Sequence, residues 1–175
     1  MSLLGVVIET PRLVLRPVDL AVAPEVFAEF TAEICRHMFP QPARIIAETQ
    51  AYIIDARAKM AQDEELAVFI FARDGGEFLG GAGMHNLRSG TPEAGIWIKQ
   101  PAHGHAYGLE AVEGLVRWAF ARGARQVVYP VMVENGRSRR IPERLGGTLS
   151  RNFRKANAAG VMRDLVEYVI PPPAG

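Results

Sequence analysis

The sequence predicts an α+β fold, a mixed central sheet with an antiparallel N-terminal meander and flanking helices. Three observations carry this reading. Three strand-like runs succeed one another between residues 65 and 100, separated by turn signals at Asp74-Gly75-Gly76 and Ser89-Gly90. A helical pattern then fills residues 107 to 123. After it, "RQVVYPVMV" is too continuously apolar to be half exposed, which is the mark of a strand covered on both faces.

The elements follow in order. "PRLVLRPV", residues 11 to 18, alternates apolar and polar residues and is the expected first strand. Asp19 is a cap upstream of "APEVFAEFTAEI", which has helical spacing, and "PARIIAETQAYIIDARAKMAQ" is a second, longer helix. "ELAVFIFAR", "EFLGGAGMHNLR" and "PEAGIWIKQ" make the meander. The helix "YGLEAVEGLVRWAFARG" should stop at Gly123 in its C′ position. "ENGRSRRIPERLGG" reads as a short helix capped by Asn135 and closed by Gly146. Pro142 inside it should clash with the carbonyl of residue 138 and bend it. "VMRDLVEYVI" is the last expected strand, giving the order β-α-α-β-β-β-α-β-α-β.

With 175 residues, 49% hydrophobic and 22% charged, the chain can bury a real core without staples, and residues 1–175 are expected to form a single domain ending in the proline-rich tail 171–175. Cys35 is the lone cysteine, which rules out an internal disulfide and fits a structural thiol in a reducing compartment. The apolar start "SLLGVVI" is too short to span a membrane, and no basic residue precedes it. The expectation is a soluble, unprocessed, cytoplasmic protein that is a monomer or homodimer. The net charge of +1 demands neither nucleic acid nor an anionic membrane as partner. Positive charge is concentrated in "GRSRR" and "RNFRK", each either a solvated face or the contact for a phosphate-bearing ligand.

"QPAHGHAYGLEAVEGL", residues 100 to 115, puts Gly104, Ala106 and Gly108 at alternate positions just before a helix. Small residues there let a backbone approach a ligand closely, and a helix N-terminus offers unpaired N–H groups and a dipole that favours anions. The two common nucleotide loops are excluded. No paired glycines precede a Lys-Ser or Lys-Thr, and "GHAYGLE" has the wrong spacing for a dinucleotide fingerprint. His103 and His105 have the spacing of a metal pair, but too few further ligands are at hand, so no metal is expected.

Residues 93 to 111, "EAGIWIKQPAHGHAYGLEA", resemble the signature of the GNAT superfamily of N-acetyltransferases in its ribosomal-protein (Rim-type) branch. "ETPRLVLRPV", "GEFLGGAGMHNL" and "VENGRSRRIPERLG" extend the resemblance in the family's order over almost the whole chain. It implies the GNAT acyltransferase fold, with strands splayed at the cofactor site, and acetyl-coenzyme A as co-substrate. It also implies direct acetyl transfer to a primary amine, on a small molecule or on a peptide or protein. Carried over by position, backbone groups of Ile96, Trp97 and Ile98 would meet the acetyl and pantetheine part. N–H groups of His103, Gly104, His105, Ala106, Tyr107, Gly108 and Leu109 would hold the pyrophosphate, close to the Asn135 cap. His103 stands where the family has Gln or Arg, and Ala106 where Gly is commoner.

The resemblance also marks departures. Many relatives use a tyrosine of the late helix to serve the leaving thiolate, and this chain has Pro142 there. Ser138, at the Rim-type serine position, is the expected acid or thiolate orienter, and it lies beside the coenzyme. Arg139 and Gly147 replace apolar and aromatic residues. His85 and Glu93, on adjacent meander strands, are the candidates for the acceptor side, while Glu110 reads as a structural or capping group. A module of the same fold that binds coenzyme A without turnover is the alternative function.

Overall fold

The structure is a computed structural model that describes residues 2–174. Met1 and Gly175, which the sequence reading counts within the domain and its tail, lie outside the described residues. Among these, eight strands form one sheet: β1 (Ile8–Glu9), β2 (Leu13–Pro17), β3 (Leu66–Ala72), β4 (Phe78–His85), β5 (Glu93–Ile98), β6 (Val127–Met132), β7 (Thr148–Ala156) and β8 (Met162–Ile170). Their order across the sheet is β1-β2-β3-β4-β5-β6-β8-β7. The helices are α1 (Ala23–Glu29), α2 (Ala32–Cys35), α3 (Ile46–Ala61), α4 (Tyr107–Ala121) and α5 (Gly136–Arg144).

All pairings are antiparallel except β5 with β6, which α4 joins as a parallel crossover. The register aligns Ala67 with Gly83 and Gly95, Phe69 with Gly81 and Trp97, and His85 with Glu93, so these residues share one face. Helices α1 and α3 border that face. On the opposite face α4 packs on β5, and Gly108 lets its first turn fit between β5 and Ile141 of α5. A Cβ there would come to 3.3 Å from Ile141 and 3.8 Å from Ile96 and Ile98.

Two strands escape the sequence reading. β1 has only two residues, too short for a pattern. β7 is an edge strand exposed along nearly its whole length, so no apolar alternation marks it. "RNFRK" is therefore half of a hairpin, with Arg151 paired to Glu167 at 3.0 Å and Arg154 to Asp164 at 2.9 Å across it. The expected first helix is two pieces, parted at Phe30 and restarted by the Thr31 cap.

Pro142 does not break α5, which continues to Arg144. Pro142 has no N–H for the Ser138 carbonyl, yet its own carbonyl accepts from Leu145 N–H at 3.1 Å and from Gly147 N–H at 2.8 Å. A Cβ at Gly147 would lie 2.7 Å from that carbonyl. A side chain at 147 would therefore meet the residue 142 backbone in this tight exit from the helix. Cys35 is buried, and burial pushes its thiol up to about 11, as suits an inert core residue.

Glu110 ties α4 to the sheet edge. Its carboxylate accepts from the Thr10 hydroxyl at 2.6 Å, the Arg12 N–H at 2.7 Å and the Arg12 guanidinium at 2.6 Å. Burial alone would raise its pKa. These bonds and the Arg12 charge outweigh burial and hold it below its ordinary 4.5. A depressed pKa means that the ionised form favours the folded chain. The contribution is complete above about pH 4.5 and is lost as pH falls through the folded value. Glu110→Gln is expected to cost about 1–2 kcal/mol at pH 7, since Arg12 is half exposed and partly screened. Its deficit should shrink at pH 3, and an equal deficit at both pH values in urea melts would exclude the charge as the cause.

Candidate active site

β5 and β6 touch at a single register point, Glu93 with Val128, and diverge beyond it. The gap opens into a cleft of about 1240 Å³ that reaches both faces of the sheet. Ladder parity decides which backbone groups face it. Lys99 N–H donates to the Leu79 carbonyl at 2.8 Å, and Trp97 stands opposite Gly81, so the odd-numbered residues of β5 spend their backbone groups on β4. Ile96 and Ile98 present theirs to the gap. This corrects the expectation for Trp97, whose backbone is turned away. Its indole instead lies over Gly81 on the α1 and α3 face, 4.9 Å from Phe30 and 5.8 Å from Phe78 between ring centroids.

At one end of the gap lies the loop before α4. Gly104 has φ +87° and Ala106, the residue before the helix, φ +59°. Both are in the left-handed region, so successive N–H groups turn to a common side. From Gly104 to Leu109 no N–H donates to any acceptor among the described residues. The His103 N–H is an exception to the expected set, because the Gln100 carbonyl accepts it at 3.1 Å. The loop is braced from behind, where Arg12 donates to the His105 carbonyl at 3.0 Å and lies over the Tyr107 ring, itself stacked on His105.

The His103 ring bridges two elements. Nε2 lies 2.7 Å from the Ile98 carbonyl, and Arg137 of α5 lies 2.8 Å from Nδ1. A guanidinium only donates, so Nδ1 accepts and the Nε2–H donates to Ile98. Both ring nitrogens are spent, and Arg137 is held beside the free N–H groups. Arg139, two residues on, is committed to Tyr168 at 3.1 Å and to the Val133 carbonyl at 3.1 Å.

α5 presents Ser138 to the gap. Asn135 accepts the Ser138 N–H at 3.2 Å as the helix cap, and Ser138 Oγ lies 2.7 Å from the Tyr129 hydroxyl on β6. Tyr129 escapes the sequence reading because a buried tyrosine in an apolar strand looks like core.

On the opposite face, Gly83 and Gly95 form a floor beneath His85, whose Nε2 would lie 3.7 Å from a Cβ at either glycine. His85 Nδ1 is 3.2 Å from Glu65, whose side chain is 15% exposed, and Glu93 stands opposite His85 across the ladder. The two predicted acceptor-side residues thus sit together at the cleft, joined by Glu65. Only the strand register, which the sequence does not state, could have shown the third.

The chain matches the family model described as the acetyltransferase (GNAT) domain over residues 12–148. It belongs to the GNAT family of acetyltransferases. No curated protein sequence matches it. Among solved structures it is similar to RimL, the ribosomal L7/L12 alpha-N-protein acetyltransferase, in complex with coenzyme A. That similarity has TM-score 0.84 at 19% identity and covers 97% of this chain and 100% of the other. It is also similar to the microcin C7 self-immunity acetyltransferase MccE in complex with acetyl-CoA and AMP (TM-score 0.82, 20% identity, 91% and 92% covered). A GCN5-related N-acetyltransferase from Brucella melitensis matches with TM-score 0.81 at 21% identity over 94% and 78%. At these identities the likeness shows the fold.

A Cβ at Gly81 would stand 2.6 Å from the Trp97 Nε1, and the two phenylalanine rings leave the indole little room to retreat. Gly81→Ala is expected to cost about 1–3 kcal/mol and to shift tryptophan fluorescence. Unchanged emission in a stable variant would show that Trp97 is not fixed by this contact.

Proposed function

We propose that this protein transfers an acetyl group from acetyl-coenzyme A directly to a primary amine, an N-terminal α-amino group or a small-molecule amine. The observation that carries it is the parting of β5 and β6, which opens a cleft lined by His85, Glu93, Ile96 and Ser138, with the free N–H groups of Gly104 to Leu109 in the loop that follows β5. The residues fit the coenzyme. N–H groups from Gly104 to Leu109, at the positive end of α4 and beside Arg137, suit a pyrophosphate, and the backbone of Ile96 and Ile98 suits the pantetheine amides. The coenzyme supplies the activated thioester, and no covalent enzyme intermediate is needed.

The chain's own groups divide the rest. One of the two N–H groups, that of Ile96 or of Ile98, serves the acetyl oxygen, and the other is left for a pantetheine carbonyl. His85 Nε2, with its ring held by Glu65, takes the proton that the amine gives up as the new C–N bond forms, with Glu93 as the second candidate. The Ser138 hydroxyl faces the sulfur that leaves when the C–S bond breaks. Helical α5 beyond Pro142, with Ser138 still at the gap, favours turnover over a module that only binds. The relatives bound to coenzyme A or acetyl-CoA support the choice of donor. A relative from Salmonella typhimurium that modifies the N-terminal serine of ribosomal protein L7/L12 supports testing peptide α-amines first.

A thiol-release assay over amines and N-terminal peptides tests the activity, and no release with any acceptor would count against it. Acetyl-coenzyme A at a hundredfold its dissociation constant should stabilise the fold by roughly 2.7 kcal/mol. Gly104→Val should weaken binding and shrink that shift, because a branched side chain stands among the donors; its resistance to positive φ strains the loop, while the open space around Gly104 confines the damage to it. Wild-type affinity in this variant would place the phosphates elsewhere. Ser138→Ala should lower turnover by about 10² to 10⁴ with coenzyme affinity nearly intact.

A further inference from the structure

We propose that Tyr129 is a positioning residue for Ser138: its phenol O–H donates to Ser138 Oγ, which leaves the serine's own proton to face the departing sulfur. The inference rests on the acetyl-transfer reading above and adds a residue to it.

The direction of the hydrogen bond follows from burial. Tyr129 is 2% exposed, and Ser138 Oγ, at 2.7 Å, is its hydroxyl's partner among the described residues. A buried O–H that donates to nothing is costly, whereas an oxygen that accepts nothing costs less. The phenol therefore donates, and the serine oxygen accepts. Ser138 Oγ has no other partner among the described residues, so its hydrogen is free to turn into the cleft that both side chains line. The backbone of Ser138 is fixed independently by Asn135. Parity on β6 sets Tyr129 on the face that carries α4 and α5, where Tyr168, opposite it on β8, is held by Arg139 and Glu143 of α5. The ring has a rigid seat.

Burial pushes the Tyr129 phenol well above its ordinary pKa. It therefore keeps its proton. The C–S bond breaks with its electron pair on sulfur, Ser138 donates a hydrogen bond to the thiolate, and water protonates the thiolate after release. Tyr129 polarises the serine and restricts its rotor without itself being deprotonated.

The test reads the thiol of bound coenzyme A, whose free pKa is about 8.5 by analogy with cysteine. It is obtained from the pH dependence of affinity for coenzyme A against desulfo-coenzyme A. In the wild type the bound thiol should titrate below the free value. Tyr129→Phe should return it toward that value by on the order of one unit, which is the tenfold effect of one ordinary hydrogen bond. Ser138→Ala should return it at least as far, and adding Tyr129→Phe to Ser138→Ala should change nothing more. Turnover of Tyr129→Phe should fall about tenfold with KM for donor and acceptor within about twofold.

Should Tyr129→Phe fail to fold, 3,5-difluorotyrosine at position 129 keeps the hydroxyl and strengthens it as a donor, and should move the bound thiol pKa further down. Equal costs of Tyr129→Phe with and without Ser138, or a bound thiol indifferent to either change at Tyr129, would overturn the proposal while leaving acetyl transfer standing. No binding of coenzyme A at all would overturn both.

Discussion

Everything at the candidate site depends on one constraint, that β5 and β6 are neighbours in the sheet and yet cannot stay paired. Parallel strands joined by a helix would normally continue their ladder, leaving no polar backbone idle. Here the ladder stops after Glu93 and Val128. Backbone groups of Ile96 and Ile98 are then left facing a cleft, and the Ile98 carbonyl is already taken by His103. These groups are part-buried and open to the cleft, so they are available to a polar, extended ligand that would stand in for the missing strand. α4 enforces the arrangement. Its first turn rests on Ile96 and Ile98 through Gly108, which brings its free N–H groups to the end of the same gap.

The sequence made the scaffold legible where burial imposes a period. The meander, α4, the doubly covered β6 and the caps at Asn135, Gly123 and Gly146 all leave local signatures, and the structure bears them out. β7 left none, because an exposed edge strand has no side that must be apolar, and its arginines and lysine read as a charge run. The loop before α4 was legible as a turn with close backbone approach, since its alternating small residues announced it, and Gly104 is the residue that takes left-handed backbone without penalty. Its exact donors were not. The loss of His103 N–H to a tight turn, and of the Trp97 backbone to β4, follows from hydrogen-bond parity, which depends on partners distant in sequence.

The acceptor side shows the same limit differently. His85 and Glu93 were visible as candidates because they are polar residues in otherwise buried strands. Glu65 was visible only as the start of a strand. Antiparallel register then sets His85 opposite Glu93, and Glu65, one residue before β3, meets His85 from the other side. The glycines that precede and follow serve this group, since side chains at Gly83 and Gly95 would fill the floor over which the imidazole lies. Small residues in β4 and β5 are thus the negative image of the cleft.

α5 shows how a helix can carry a proline and keep its first turn intact. Pro142 removes an N–H that would have met the Ser138 carbonyl, and Gly147 leaves out a side chain that would meet the carbonyl of residue 142. Neither change reaches the N-terminal turn, where Asn135 caps the helix, Arg137 meets His103 and Ser138 meets Tyr129. The first turn of α5 is the part held by polar contacts, from the cap, from His103 and from Tyr129, and the last turn needs only to leave without clashing. A proline one turn after the serine is tolerable for this reason: the groups that aim Ser138 come from β6 and from the cap, and neither depends on the ladder that the proline interrupts.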